Sequence, residues 1–170
     1  MDDKPVPREL IDRILHAASL APSCFNNQPW RFVVVNEQKK LNALKEYLPG
    51  GNYWAKRSPC IVCIATEAEL DCRLNDRREY ALFDAGLAVE NLLLQAVCEG
   101  LIAHPIAGFK PVEIKTLLGI PEKYTLITLV VLGYPGDPSV LSEEHRATES
   151  GEQERKGKEE IISFNGWEFS

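Results

Sequence analysis

The chain has 170 residues, of which 45% are hydrophobic, enough for one domain with one substantial core. Nineteen Lys and Arg against 25 Asp and Glu leave a formal net charge of −6, the wrong sign for a protein that tracks phosphates, so no nucleic-acid partner is expected. No run approaches the about 18 consecutive apolar residues of a membrane span, and Met1-Asp2-Asp3-Lys4-Pro5 lacks the basic-then-apolar pattern of a secretory signal; the expectation is a soluble, cytoplasmic protein with no membrane partner.

From Pro7 to about Leu20, Leu10, Ile11, Ile14, Leu15 and Ala18 form a helical stripe that begins at prolines, carries Glu9 in its first turn and stops at Ala21-Pro22. A polar loop leads to a strand at Trp30–Val35, rich in β-branched and aromatic residues. Helical periodicity returns at Leu41, Leu44 and Leu48, and Pro49-Gly50-Gly51-Asn52 breaks the chain before a second strand at Cys60–Ala65.

The longest helical pattern runs from about Arg78 to Glu99. Leu82, Ala85, Val89, Leu92, Leu93 and Ala96 form its stripe, which Phe83, Leu87, Leu94 and Val97 widen. Such breadth implies burial on several sides, in the core or against another subunit. Gly100 suits the C′ position, and His104-Pro105-Ile106-Ala107-Gly108 reads as a loop before a short helix near Val112–Leu118. A third strand is expected at Thr125–Leu132, ending at Gly133-Tyr134-Pro135. Helices with few strands argue for an α+β fold.

Beyond Gly136 the residues from Ser142 to Glu160 are almost all charged or small and polar, a composition that cannot bury enough apolar surface to hold itself down. The segment reads as an arm or linker. It ends in Ile161, Ile162, Phe164, Trp167 and Phe169, which either trail as a disordered tail or add a strand to a sheet edge, in the same or a neighbouring subunit.

Five cysteines, Cys24, Cys60, Cys63, Cys72 and Cys98, are odd in number and show no framework spacing. Cys60 and Cys63 sit in an apolar strand, where residues three apart face opposite sides, so they read as buried thiols and no metal is expected. His16, His104 and His145 form no constellation; His104 alone is placed to line a site. No G-x-G-x-x-G follows a strand, so nothing supports a separate Rossmann domain.

The segment Ala21-Pro22-Ser23-Cys24-Phe25-Asn26-Asn27-Gln28-Pro29-Trp30-Arg31-Phe32 resembles the A-P-S-x-x-N-x-Q-P-W-x-F signature of the nitroreductase family. Further features follow in family order: the long apolar helix ending Glu99-Gly100-Leu101, the Pro105–Phe109 segment, Leu132-Gly133-Tyr134-Pro135, and the basic stretch Arg155-Lys156-Gly157-Lys158-Glu159-Glu160-Ile161-Ile162. The likeness covers nearly the whole chain from Asp3. It implies a single domain over residues 1–170, with an antiparallel sheet flanked by helices. It further implies a homodimer that exchanges C-terminal arms from 136 onward, with an FMN in each of two interface pockets. The implied chemistry is NAD(P)H-dependent: flavin N5 accepts hydride from NADH or NADPH and passes electrons to a nitroaromatic, quinone or similar small acceptor, with no catalytic side chain required.

The same resemblance implies the site residues. Pro22, Ser23, Cys24 and Asn26 match the segment that meets the ribityl chain and phosphate from the neighbouring subunit, with hydroxyl and amide groups suited to both donors and acceptors; taken alone, the loop is an ordinary turn. Gln28 belongs either to that contact or to the loop itself. Ala107 and Gly108 match the segment over the isoalloxazine, where backbone N–H groups stabilise negative charge and glycine permits close approach. Asn52 reaches the pyrimidine edge or serves as a turn residue. Arg155 and Lys156 match the basic pair that neutralises the phosphate, with Lys158 as a substitute after a small register shift, and a solvated charge run as the rival reading.

One departure stands out: family members usually begin with an R-R-S-x-R-like strand before D-K-P-V-P, and here Met1-Asp2 precedes that segment directly. A truncated reading of a longer gene, or a weakly flavin-binding or non-catalytic dimer of the same fold, is the alternative expectation. A flavin-fragmenting or dehalogenating activity is possible on the same fold.

Overall fold

The most apolar strand of the sequence lies inside the sheet, and its alternation divides the core in two. The computed structural model describes residues 1–169. In chain order the elements are α1 (Arg8–Ser19), β1 (Arg31–Val35), α2 (Gln38–Lys45), β2 (Cys60–Thr66), α3 (Tyr80–Cys98), β3 (Ile102–Ile106), α4 (Pro111–Leu118), β4 (Thr125–Gly133), α5 (Glu143–Ser150) and α6 (Lys158–Ile161). The four strands make one antiparallel sheet in the order β1-β2-β4-β3.

Successive strand residues point to opposite faces, and both faces of β2 and most of β4 are buried. On one face Ile61, Cys63, Ala65, Leu129 and Val131 pack with Leu41, Leu44 and Ile114 of α2 and α4. On the other Cys60, Val62, Ile64, Val130 and Leu132 meet Ile11 and Ile14 of α1 and Leu92 and Ala96 of α3. Cys60 and Cys63 thus lie in different halves of the core, as the alternation requires, and burial pushes both thiols up to about 12.

Helices α1 and α3 are joined at one end by a two-pronged ion pair. Arg13 Nε lies 2.7 Å from Glu99 Oε1 and Arg13 Nη2 lies 2.8 Å from Glu99 Oε2. Further along, Asn91 Nδ2 donates to the Ala17 carbonyl at 3.2 Å. By length and composition alone α3 could cross a membrane. Here it packs on α1, β2 and β3, and it carries the buried carboxylate of Asp84.

Two expectations are corrected. Residues 102–106 form a strand, where the His104-Pro105 sequence reads as a loop. Proline is tolerated because β3 is an edge strand paired only with β4, so the missing N–H costs no ladder bond on the open side. The polar stretch from Ser142 is also not wholly irregular: Ser142 Oγ accepts from the His145 N–H at 3.2 Å, and Glu143 and Glu144 fill the first turn of α5. Neither α5 nor α6 buries a residue, in line with the composition.

The chain divides by contacts into one unit over Met1–Asp137 and a second from Pro138 onward. Within the second, Ile161, Ile162, Phe164 and Trp167 are exposed, Trp167 by 84%. Among its described residues there is no strand, so the expected strand addition is not made within this chain.

Candidate functional site

The segment between α1 and β1 is fixed at both ends and held open in the middle. Ala21, Pro29 and Trp30 are buried, and Thr66 Oγ1 donates to the Pro29 carbonyl at 3.0 Å. Between these anchors Phe25, Asn26 and Gln28 have φ of +50°, +59° and +50°. Asn tolerates that region, whereas Phe and Gln occupy it at a cost on the order of 1–3 kcal/mol each. Hydrogen bonds offset the cost: Ser23 Oγ accepts from the Gln28 N–H at 3.0 Å, and Gln28 Nε2 donates to the Asn26 carbonyl at 3.1 Å. The Arg31 guanidinium donates to the carbonyls of Gln28 and Trp30 at 3.1 and 2.8 Å. Gln28 therefore works on the loop itself. Phe25, 91% exposed, and the side chain of Asn26 face outward.

The loop is also moored to α3 and to the turn after β2. The Cys24 N–H donates to Asp84 Oδ2 of α3 at 2.6 Å, and Asn27 Nδ2 donates to Asp71 Oδ1 at 3.1 Å. A disulfide joins Cys24 to Cys72 across a separation of 48 residues, which the cysteine spacing did not lead one to expect. Burial raises the Asp84 carboxyl above its ordinary value; the Cys24 N–H opposes this, and the hydrogen bond and charge of Asp71 reinforce it. Asp84 had a visible signal, a carboxylate within an apolar helix, but Asp71 and Cys72 had none.

A second set of residues gathers where β3 leaves the sheet. Thr128 Oγ1 donates to the Ile106 carbonyl at 3.0 Å, and the next residues, Ala107 and Gly108, are exposed. Asn52 lies in the 3-10 turn Gly50–Arg57, and its Nδ2 donates to the Gly108 carbonyl at 2.7 Å. A Cβ on Gly108 would stand 3.0 Å from that nitrogen and 3.5 Å from Pro49 Cγ, so any larger residue there would crowd the Asn52 amide. His104 stacks edge-on against Trp54, ring centres 4.9 Å apart.

The structure thus unites Pro22, Ser23, Cys24, Asn26 and Gln28 in one loop, and Asn52 with Ala107 and Gly108 in another place. These two groups belong to opposite edges of the sheet, since Arg31 opens β1 and Ile106 closes β3 in the order β1-β2-β4-β3. Three strand spacings, about 14 Å, separate those edges. Arg155 and Lys156 belong to the second unit, where both are exposed; Arg155 donates to the Glu154 carbonyl at 2.9 Å and to Gln153 Oε1 at 2.5 Å. An open groove of about 440 Å³ between α1 and α3 is lined by Asp12, Arg13, His16, Ala17, Leu20 and Gln95, none of them a candidate site residue.

The donor set suits a flavin mononucleotide. The Ser23 hydroxyl accepts one loop bond and keeps its own hydrogen to donate, the Asn26 amide is exposed, and the Gly108 backbone is bare of a side chain at a tight approach.

Comparison with known proteins agrees over most of the chain. The profile of the Nitroreductase family matches residues 1–49 and 41–134. An Archaeoglobus fulgidus protein named for NADH dehydrogenase/NAD(P)H nitroreductase is 37% identical over 142 residues, covering 79% of this chain and 78% of its own. An NADH dehydrogenase of Thermus thermophilus is 30% identical over 163 residues, covering 78% of this chain and 79% of its own. A crystal structure described as an oxidoreductase containing FMN superposes with a TM-score of 0.86 at 27% identity, covering 99% of this chain and 87% of that one. The sheet order, the loop that carries the signature and these likenesses converge: the chain belongs to the nitroreductase family.

Proposed function

We propose that this protein is an FMN-dependent oxidoreductase that takes electrons from NADH or NADPH and delivers them to a nitroaromatic, a quinone or a similar flat acceptor. The observation that supports it most is the bond from Asn52 to the Gly108 carbonyl: the residues lie 56 apart in sequence, the family likeness puts Gly108 over the flavin ring, and the bond favours the pyrimidine-edge reading of Asn52 over that of a turn residue alone. When bound, FMN supplies the two-electron chemistry between nicotinamide and acceptor.

The chain's own residues bind and orient. Ser23 and Asn26 offer a hydroxyl and an amide to the ribityl hydroxyls, on a loop whose shape Gln28, Arg31 and Asp84 fix beforehand. Asn52 pins the turn at Gly108 and retains an amide N–H and a carbonyl oxygen for the ring's polar edge. Backbone donors at Ala107 and Gly108 stabilise negative charge there. Arg155 and Lys156 supply positive charge for the phosphate, a fork and a point charge respectively.

A dimer completes the reading. The loops assigned to the two ends of one flavin lie on opposite edges of one sheet, so a second copy brings a signature loop to each Asn52–Gly108 turn. The outer face of α3 supplies a surface for it: Phe83, Leu94 and Val97 are 61%, 57% and 65% exposed, an apolar stripe that a lone chain leaves wet. The exposed Ile161, Ile162, Phe164 and Trp167 suit an arm that wraps the partner.

With one shared pocket for donor and acceptor, steady-state rates against NADH at several quinone concentrations give parallel double-reciprocal lines. Intersecting lines, or no turnover with either nicotinamide, contradict the proposal.

A further inference from the structure

We propose that Cys24 and Cys72 are a redox-active pair that sets the rigidity of the 22–28 loop, opened by a dithiol reductant and closed by a disulfide oxidant. The consequence for cofactor affinity rests on the flavin reading above. Nothing else about the cysteines belongs to a disulfide-dense protein: Cys60 and Cys63 stay as buried thiols, and Cys98 is an exposed thiol without a disulfide. The two residues of the bond are only half-buried, within reach of a small reductant, and exposed disulfides are the ones that exchange readily.

Its position gives the bond something to control. Cys24 stands beside Ser23 and Asn26, and its bond reaches the turn after β2, where Cys72 N–H donates to Asp71 Oδ1 at 2.8 Å. The loop holds two residues, Phe25 and Gln28, in a backbone region they avoid when free. With the sulfur bond broken, the loop is moored to α3 and the 68–72 turn by hydrogen bonds alone, Cys24 to Asp84 and Asn27 to Asp71 and to the Cys72 sulfur. Its outward residues then gain freedom that a ligand must remove on binding.

The exchange balances. A reductant thiolate attacks one sulfur of the pair and forms a mixed disulfide; the reductant's second thiol displaces the remaining cysteine. The reductant leaves as its own disulfide, and two electrons and two protons end on Cys24 and Cys72. Closure is the same sequence reversed with an oxidised disulfide such as oxidised glutathione. Asp71, which with Cys24 and Cys72 could hold a metal ion once the thiols are free, gives the competing account of this cluster.

The test uses the full chain, oxidised with glutathione disulfide or reduced with dithiothreitol. Thiol titration in denaturant is expected to find three thiols in the first sample and five in the second, since two of five cysteines are paired; five in both overturns the pair. Without FMN, amide exchange in the peptide spanning 22–28 should quicken on reduction, and an unchanged rate overturns the control of rigidity. The FMN dissociation constant should rise roughly tenfold on reduction, the cost of an ordering step moved onto binding. Cys72→Ser, checked for native unfolding behaviour, should show the weak value in both conditions; equal affinity in the oxidised and reduced wild type overturns the switch. If FMN binds neither sample, the flavin reading fails while the thiol count and exchange rates still decide on the pair. One equivalent of zinc that locks the reduced loop as firmly as the disulfide, and fails to do so in Cys72→Ser, overturns the switch in favour of a metal site.

Discussion

Asn52 Nδ2 donates to the Gly108 carbonyl at 2.7 Å, tying the turn before β2 to the exit of β3. The bond is solvent-exposed, so Asn52→Ala should cost fold stability only about 1 kcal/mol. Its effect on flavin should be larger in proportion, a loss of about five- to tenfold in FMN affinity through the freed turn and the lost amide. Gly108→Ala pushes a methyl to 3.0 Å from the same nitrogen and should weaken FMN as well. Isothermal titration of both variants checks this, and unchanged affinity in both removes the turn from the site.

The Arg13–Glu99 pair predicts an acid-dependent stability. Its hydrogen bonds from Arg13 hold the Glu99 carboxyl down from its ordinary 4.5 to about 2. A depressed carboxylate contributes stability that is present above 4.5 and is lost as the pH falls toward about 2, because the unfolded chain takes up its proton first. Glu99→Gln should therefore lower the thermal midpoint at pH 7, with a difference from wild type that shrinks between pH 4.5 and 2. A difference independent of pH would show that packing, not charge, is what the substitution removes.

The double-sided sheet predicts that either face of the core fails alone. Leu129, packed against α2 and α4, and Leu132, packed toward α1 and α3, are both fully buried. Each to alanine should cost about 2–5 kcal/mol in denaturant unfolding. A loss below about 1 kcal/mol at either position would mean that its half of the core repacks.

Much of this architecture is legible from periodicity. The stripe of α1 follows from a 3.6 repeat, and the strands near 30–35, 60–65 and 125–132 follow from short apolar, β-branched runs bounded by turn residues, signals that local sequence carries. Strand β3 does not, because His104-Pro105 spoils the strand signal and only the edge position in the finished sheet makes proline harmless. Helix α5 is hidden by composition that buries nothing and is held by its Ser142 cap. At the site, the 22–28 loop is visible as a motif, and Asn52 and Gly108 are visible singly. The Cys24–Cys72 bond and the Asp71 and Asp84 moorings are long-range contacts, and no local pattern encodes which turn will meet which loop. Gln28 is read from its residue type either as a ligand contact or as a loop residue, and its positive φ and two bonds within the loop add a structural task that the type alone does not reveal.

The apolar outer face of α3 predicts an interface. Leu94→Glu with Val97→Glu places two carboxylates on residues exposed in the single chain, so folding should survive while self-association weakens. Sedimentation should give a dimer for the wild type and a folded monomer for the variant. A folded wild-type monomer at micromolar concentration contradicts the dimer.

Phosphate recognition is separable from ring recognition. If Arg155 and Lys156 neutralise the phosphate, FMN should bind distinctly better than riboflavin, and replacing both with alanine should bring the two affinities together, each lost charged hydrogen bond being worth about 1.5–3 kcal/mol. A preference for FMN that persists in the double variant places the phosphate elsewhere.

If this chain carries electrons from a nicotinamide through bound FMN, a single anaerobic titration follows them. Protein saturated with FMN and desalted should keep one flavin per chain by absorbance. That flavin should bleach under anaerobic addition of one equivalent of NADH or NADPH and regain its colour when a quinone is admitted. A protein that retains no flavin, or retains it and stays yellow with both nicotinamides, is not such an oxidoreductase.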